Sequence, residues 1–267
     1  MKVRDVRIDN RIGESAKVHI YLGTAEDDSR VIVKVSKTFE DGNILAKEAI
    51  RFGLMHTFYQ KAVVPALEAP DVKNPHFDWL FARLLSSFMD PFQEDRRVNI
   101  LTVPDTSVAK LTPLAKLRDK TEIDTRTSVW ILGRLFKFYG FFEIMAIADN
   151  SSAARYPLFS PGDYLLGPER HRLIYYNYSG DMTAVIANDF VKKVTGYIKD
   201  WTVGDDNDAD KRYLELIKDL SENGRESFEH AHGELYRLAN ELWGIKYHPF
   251  TYRDCETYTW KTIKEEN

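Results

Sequence analysis

The sequence holds one cysteine, Cys255, in 267 residues. That excludes an intramolecular disulfide framework and any thiolate zinc cluster supplied by this chain alone, and it points to a reducing compartment. Positive charge is not in excess either, since 37 Lys and Arg face 41 Asp and Glu for a formal net charge of −4; no nucleic-acid partner is expected. Long apolar runs are missing. The most apolar stretch, residues 128–148, is interrupted by Arg134, Lys137 and Glu143 and reads as a buried helix, not a membrane span. Residues 1–10 alternate charged and apolar side chains and no apolar core of a targeting segment follows them, so a soluble cytoplasmic protein with no membrane partner is the expectation. A Gly-x-Ser-x-Gly elbow is absent, and His230 and His232 are spaced too closely to chelate from one helix face. What is abundant is aromatic: 15 Phe, 14 Tyr and 5 Trp within a 43% hydrophobic composition, enough for a sizeable packed core.

Apolar residues alternate over 3–8, 17–22 and 30–35, predicting three strands, with the polar segment 23–29 as a hairpin connector. Residues 43–56 switch to helical spacing, with Asp41 or Asn43 as N-cap. The apolar run 79–85 predicts a buried strand, and helical periodicity is expected to take over from about Asp90. A boundary near residues 86–91 follows, giving an N-terminal β-rich lobe (1–88) and a C-terminal helical lobe (89–267). Helices are predicted over 126–148, 189–201, 211–222 and 227–243, the last stopped by Gly244. Residues 156–178 are proline-punctuated, with a strand at 172–176. Asp206, Asp208 and Asp210 alternate as a calcium loop begins, but Lys211 and Ile217 replace the glycine and the bidentate glutamate; an acidic loop capping the next helix is expected. Cys255 reads as an inert thiol, and the aromatic stretch 247–252 as a tail packed on the larger lobe.

Val31-Ile32-Val33-Lys34 resembles the third-strand Val-Ala-Ile-Lys pattern of protein kinases, and Glu48 falls mid-helix where such proteins place the glutamate that pairs with that lysine. Ile12-Gly13-Glu14-Ser15 keeps only the first glycine of the phosphate-covering loop. Residues 156–166 resemble a catalytic loop in which Tyr156 stands for the histidine, Leu158 for the aspartate base and Asp163 for the metal-binding asparagine. Asn177, Tyr178 and Ser179 stand in the Asp-Phe-Gly positions.

The order of elements and these motifs resemble a degenerate, pseudokinase-like member of the protein-kinase-like superfamily. The resemblance implies an α+β, bilobal kinase-like fold, with a small antiparallel β lobe carrying one helix above a larger, mainly helical lobe. It implies Lys34, Glu48 and Gly13 as nucleotide-binding residues, a degenerate catalytic loop at Tyr156, Leu158 and Asp163, and Asp163 and Asn177 at the metal positions. ATP and Mg²⁺ are allowed by this set but not required by it. Leucine performs no acid–base chemistry, so an efficient serine/threonine kinase-like activity is not expected. The preferred reading is a binding or regulatory protein with an unidentified protein partner. Two alternatives stay open. One is an ATP-dependent phosphoryl or nucleotidyl transferase using Asp163 and Asn177 in exchanged metal-binding roles; the other is a structural assembly protein with no ligand. Whether Tyr175, Tyr176 and Tyr178 fill the nucleotide's space is left to the structure.

Overall fold

The computed structural model describes residues 2–67, 77–104, 111–148, 155–178, 182–184, 186–244 and 246–264. Pro70, Pro75 and Ser179 lie outside the described residues. The chain forms two compact units.

The first unit spans residues 1–109 together with 162–165 and 174–181. Its sheet has the order β1-β2-β3-β4-β6-β5, from β1 (Lys2–Val3), β2 (Val6–Glu14), β3 (Val18–Thr24), β4 (Arg30–Ser36), β5 (Arg83–Asp90) and β6 (Arg96–Thr102). Every neighbouring pair is antiparallel. Alternation along β4 sends Val31, Val33 and Val35 to one face, where they join Val98, Ile100, Val3 and Val6. The opposite face carries Lys34 and Asn99, directly paired in register, and lies under α1 (Gly42–Phe58). Both faces are covered, so residues 31–35 are all buried, with Lys34 the one charged residue among four apolar ones. α1 runs on through a π-helical segment, Tyr59–Val63, into α2 (Val64–Leu67). Asp41 is its N-cap without a side-chain cap bond.

Two expectations need revision here. Residues 79–85 are not one strand: Phe77–Leu80 is a 3₁₀ turn, Phe81 makes a single bridge to Tyr175, and β5 begins at Arg83 with Leu85 exposed. β5 lies at the sheet edge, where an apolar side chain need not be covered. The change to helix expected near Asp90 also fails, because residues 86–90 are still paired strand β5, the hairpin turn follows them, and β6 inserts between β4 and β5. The sheet thus extends past residue 88, and the compact unit ends at 109.

The second unit is built on α4 (Thr125–Ala148), which buries Trp130, Leu132, Leu135, Phe136, Tyr139 and Phe142. In the chain it follows β7 (Thr112–Pro113), α3 (Leu114–Arg118) and β8 (Thr121–Asp124), and is followed by β9 (Arg155–Pro157), β10 (Tyr164–Gly167), β11 (Arg172–Tyr175) and β12 (Met182–Ala184), of which Tyr164, Leu165, Ile174 and Tyr175 count with the first unit. β10 lies between β7 and β11, and β9 pairs with β12. Helices α5 (Ala187–Lys199), α6 (Asp208–Asn223) and α7 (Phe228–Trp243) follow, with β13 (Thr202–Val203) between the first two. α6 and α7 start on side-chain caps: Asn207 accepts from the Asp210 amide and Ser227 from the His230 amide. Asp210 also accepts from the Thr125 hydroxyl at 2.7 Å and the Asp205 amide at 2.8 Å, so the acidic loop closes a helix start. The tail is more ordered than expected, because β14 (Phe250–Asp254) pairs with both β8 and β15 (Trp260–Ile263). Cys255 is half-buried in the turn after β14.

Candidate functional site

The four residues Lys34, Glu48, Asn177 and Asp163 come together in the first unit. Lys34 on β4 and Glu48 on α1 form an ion pair, both side chains almost completely buried. Lys34 Nζ also donates to Asn177 Oδ1 at 2.9 Å, and Asn177 Nδ2 donates to Asp163 Oδ1 at 2.7 Å. An amide suits the middle of this chain, because its oxygen accepts from the ammonium while its nitrogen donates to the carboxylate. An aspartate at 177 would satisfy the lysine but repel Asp163. The amide at 177 and the carboxylate at 163 are therefore mutually consistent.

Asn99, Arg51, Phe52 and Gly162, which sequence reasoning gave no role, complete the site together with Tyr176 and Tyr178. Asn99 Nδ2 donates to Glu48 Oε2 at 3.1 Å and to the Leu45 carbonyl at 2.9 Å. The Tyr178 amide donates to Glu48 Oε1 at 3.0 Å, and Arg51 donates to the Tyr178 carbonyl at 2.7 Å. The Tyr178 ring meets Phe52 edge to face at 4.7 Å, an arrangement favourable beyond its area. Gly162 receives the Tyr176 hydroxyl at 2.5 Å. A lone asparagine in the apolar strand 96–102 was the signal available for Asn99, since a buried amide must find partners.

The three tyrosines are each 2% exposed. The Tyr176 ring centroid is 5.5 Å from Lys34 Nζ, and its hydroxyl would lie 4.0 Å from a Cβ added at Gly13. Burial, reinforced by Asp163 and Glu48, pushes the Tyr176 phenol up, so it stays a neutral donor. Gly13 itself lies within β2, paired with Ile20 and outside the positive-φ region; the backbone freedom a phosphate loop exploits is not in use. Mg²⁺ favours several free oxygen ligands in octahedral array. Here the Asn177 oxygen is engaged by the ammonium and one Asp163 oxygen by the Asn177 amide, so the residues as placed do not fit a resident Mg²⁺.

Tyr156 and Leu158 belong to the second unit. Leu158 is half exposed. Tyr156 is buried in an aromatic cluster, stacked on Phe190 at 5.4 Å, and its hydroxyl donates to Glu143 at 3.1 Å. Glu143 also accepts from the Phe228 amide at the start of α7. Burial pushes the Glu143 carboxyl up, and these bonds only partly oppose it. A carboxyl raised in the folded state contributes most below its unfolded pKa of about 4.3 and loses that contribution as pH rises through the folded value. Glu143→Gln removes the titration, so urea unfolding at about pH 4 and about pH 7 should show the variant gaining on wild type at the higher pH. A pH-independent difference would refute the assignment.

A scan against protein-family models finds no match, and no curated protein matches the sequence. Among solved structures, the chain is similar to a pseudokinase determined in its apo form, with a TM-score of 0.53 over 86% of this chain and 91% of that one, at 12% identity. The fold is kinase-like. A kinase-like fold accounts for the β4 lysine beneath the α1 glutamate; identity this low carries no activity with it.

Proposed function

We propose that this chain is a pseudokinase-like binding or regulatory module in which the lysine of the kinase-like site is a structural keystone, and that its surface is read by a protein partner. The observation that supports this most is the burial of Lys34 between Glu48 and Asn177, beside the Tyr176 ring. A point charge that reads phosphate must be reachable, and this one is spent on its own chain. The absence of an acid–base side chain at Leu158 agrees with that reading. No helix among the described residues is long and apolar enough to cross a membrane, and net charge −4 does not favour nucleic acid.

The test uses the full chain incubated with Mg²⁺·ATP labelled at the α- or γ-phosphate. No label is expected on the protein or on generic acceptor proteins. Incorporation that disappears in Asp163→Ala would overturn the proposal in favour of the transferase. A parallel unfolding series with ATP, with and without Mg²⁺, reads binding alone: ligand at about 100 times its dissociation constant adds about 2.7 kcal/mol. A gain lost in Lys34→Met would make the module nucleotide-responsive. No gain is the outcome expected for a lysine already engaged.

A further inference from the structure

Arg134 interrupts the most apolar helix of the chain, α4, and is half-buried there. It has no hydrogen-bond or ion-pair partner among the described residues. Other guanidiniums of the second unit are paired. Arg225, also half-buried, holds Asp219 and Glu234 at 2.6 Å each, Arg212 holds Glu241 and Arg253 holds Glu122. The nitrogens around Arg134 that are both shut off from solvent and unpartnered are Trp130 Nε1, His171 Nε2 and His232 Nε2. Those of Arg134 are unpartnered but not shut off, so a ligand can reach them.

The surroundings are basic or phenolic. Gly133 lets the Tyr236 ring of α7 lie against α4, since an added Cβ would fall 2.5 Å from that ring, and His232 meets the same ring at 4.5 Å. Burial pushes the Arg134 guanidinium down; Tyr236 opposes this and Arg172 adds to it. Burial, with Lys137 and Arg134, holds His232 at about 4, so the ring is neutral near pH 7. No carboxylate acts on Arg134 or His232 among the described residues. A guanidinium drawn partly out of water costs free energy unless a counter-charge meets it, and positive neighbours raise that cost. A bound anion removes both.

We propose that Arg134 anchors a site for a phosphate dianion, free or as a monoester, taken by the planar fork of the guanidinium. Arg172 and Lys137 do not have to touch the ligand. Their charges favour a doubly over a singly charged one.

The full chain is titrated by calorimetry with inorganic phosphate and with O-phosphoserine, and with acetate as the singly charged comparison, at constant ionic strength. The His232 ring signal, assigned by its loss in His232→Asn, is followed by NMR. At least one phosphate probe should bind with about millimolar affinity or tighter, and acetate about 10-fold more weakly or less. The bound dianion offsets the positive potential on His232, so its pKa should rise. Arg134→Gln removes a cation that has no partner, so it should fold as well as wild type and bind about 10-fold more weakly or less. Arg134→Lys keeps the charge without the fork and should fall between them. If Arg134→Gln does not fold, the His232 shift in wild type decides the matter. Tighter binding of phosphoserine assigns the site to esters, and tighter binding of inorganic phosphate to the free ion. Neither probe binding at about 10 mM, acetate binding as tightly, a His232 pKa unmoved by phosphate, or unchanged binding in Arg134→Gln would each overturn the proposal.

Discussion

Glu48→Gln is expected to destabilise the first unit by about 3–5 kcal/mol, although it changes one oxygen to a nitrogen, because breaking a buried pair strands the other charge. The partner ammonium of Lys34 is almost completely buried and would be left with neutral amide oxygens alone, the new one at position 48 and that of Asn177, and no opposite charge. The reverse change is cheaper. In Lys34→Met the Glu48 carboxylate still accepts from the Tyr178 amide and the Asn99 side chain, so a loss of about 1–3 kcal/mol is expected. The double variant Lys34→Met, Glu48→Gln carries no buried charge and should recover part of the Glu48→Gln loss, a coupling that the double-mutant cycle measures directly. Urea unfolding followed by circular dichroism reads all four proteins. Equal losses for the two single variants, or a larger loss for Lys34→Met, would show that Lys34 is not held as described. The asymmetry also bears on function: a lysine kept for phosphate would be the partner whose removal is tolerated only when ligand is absent, whereas here its removal is tolerated because the glutamate has other donors.

How much of this site was legible in the sequence follows from the range of each interaction. Lys34 and Glu48 were readable because a strand carrying a lysine and a helix centred on glutamate are local patterns. Asp163 and Asn177 were placed by the register of a motif, and the structure brings them within hydrogen-bond distance. The service Asn99 gives to Glu48 was not readable. It depends on β6 lying beside β4, a pairing across a long segment that periodicity does not see, and the boundary expected near residues 86–91 had already removed β6 from the sheet. The C-terminal hairpin was missed for the same reason, since Phe250–Asp254 becomes a strand by pairing with Thr121–Asp124. Helices α4 to α7 lie within a few residues of their expected ends because caps and apolar spacing are local. The resting place of Tyr176 was raised only as a question, and side-chain packing answered it.

Gly224→Ala should cost about 2–6 kcal/mol, the sum of two separable effects. Gly224 ends α6 with φ 66° and ψ −163°, a region essentially reserved for glycine. A Cβ there would also lie 2.4 Å from the backbone oxygen of Asn188, at the start of α5, where Asn188 Nδ2 donates to the Asn223 carbonyl at 2.7 Å. Backbone cannot yield as a side-chain tip does, so the α5–α6 contact must open. Gly244 supplies the control that isolates this second effect. It ends α7 with φ 71° and ψ 171° and closes the helix with a bond to Asn240 in the same way, yet an added Cβ meets nothing among the described residues within 4 Å. Gly244→Ala should therefore cost only the conformational part, about 1–3 kcal/mol. Chemical denaturation of both variants, with hydrogen exchange on the amides of α5 and α6, tests the comparison. Equal losses would mean that backbone conformation alone selects glycine at both ends. A larger loss for Gly224→Ala, with faster exchange in α5 and α6, assigns the difference to the close approach at Asn188.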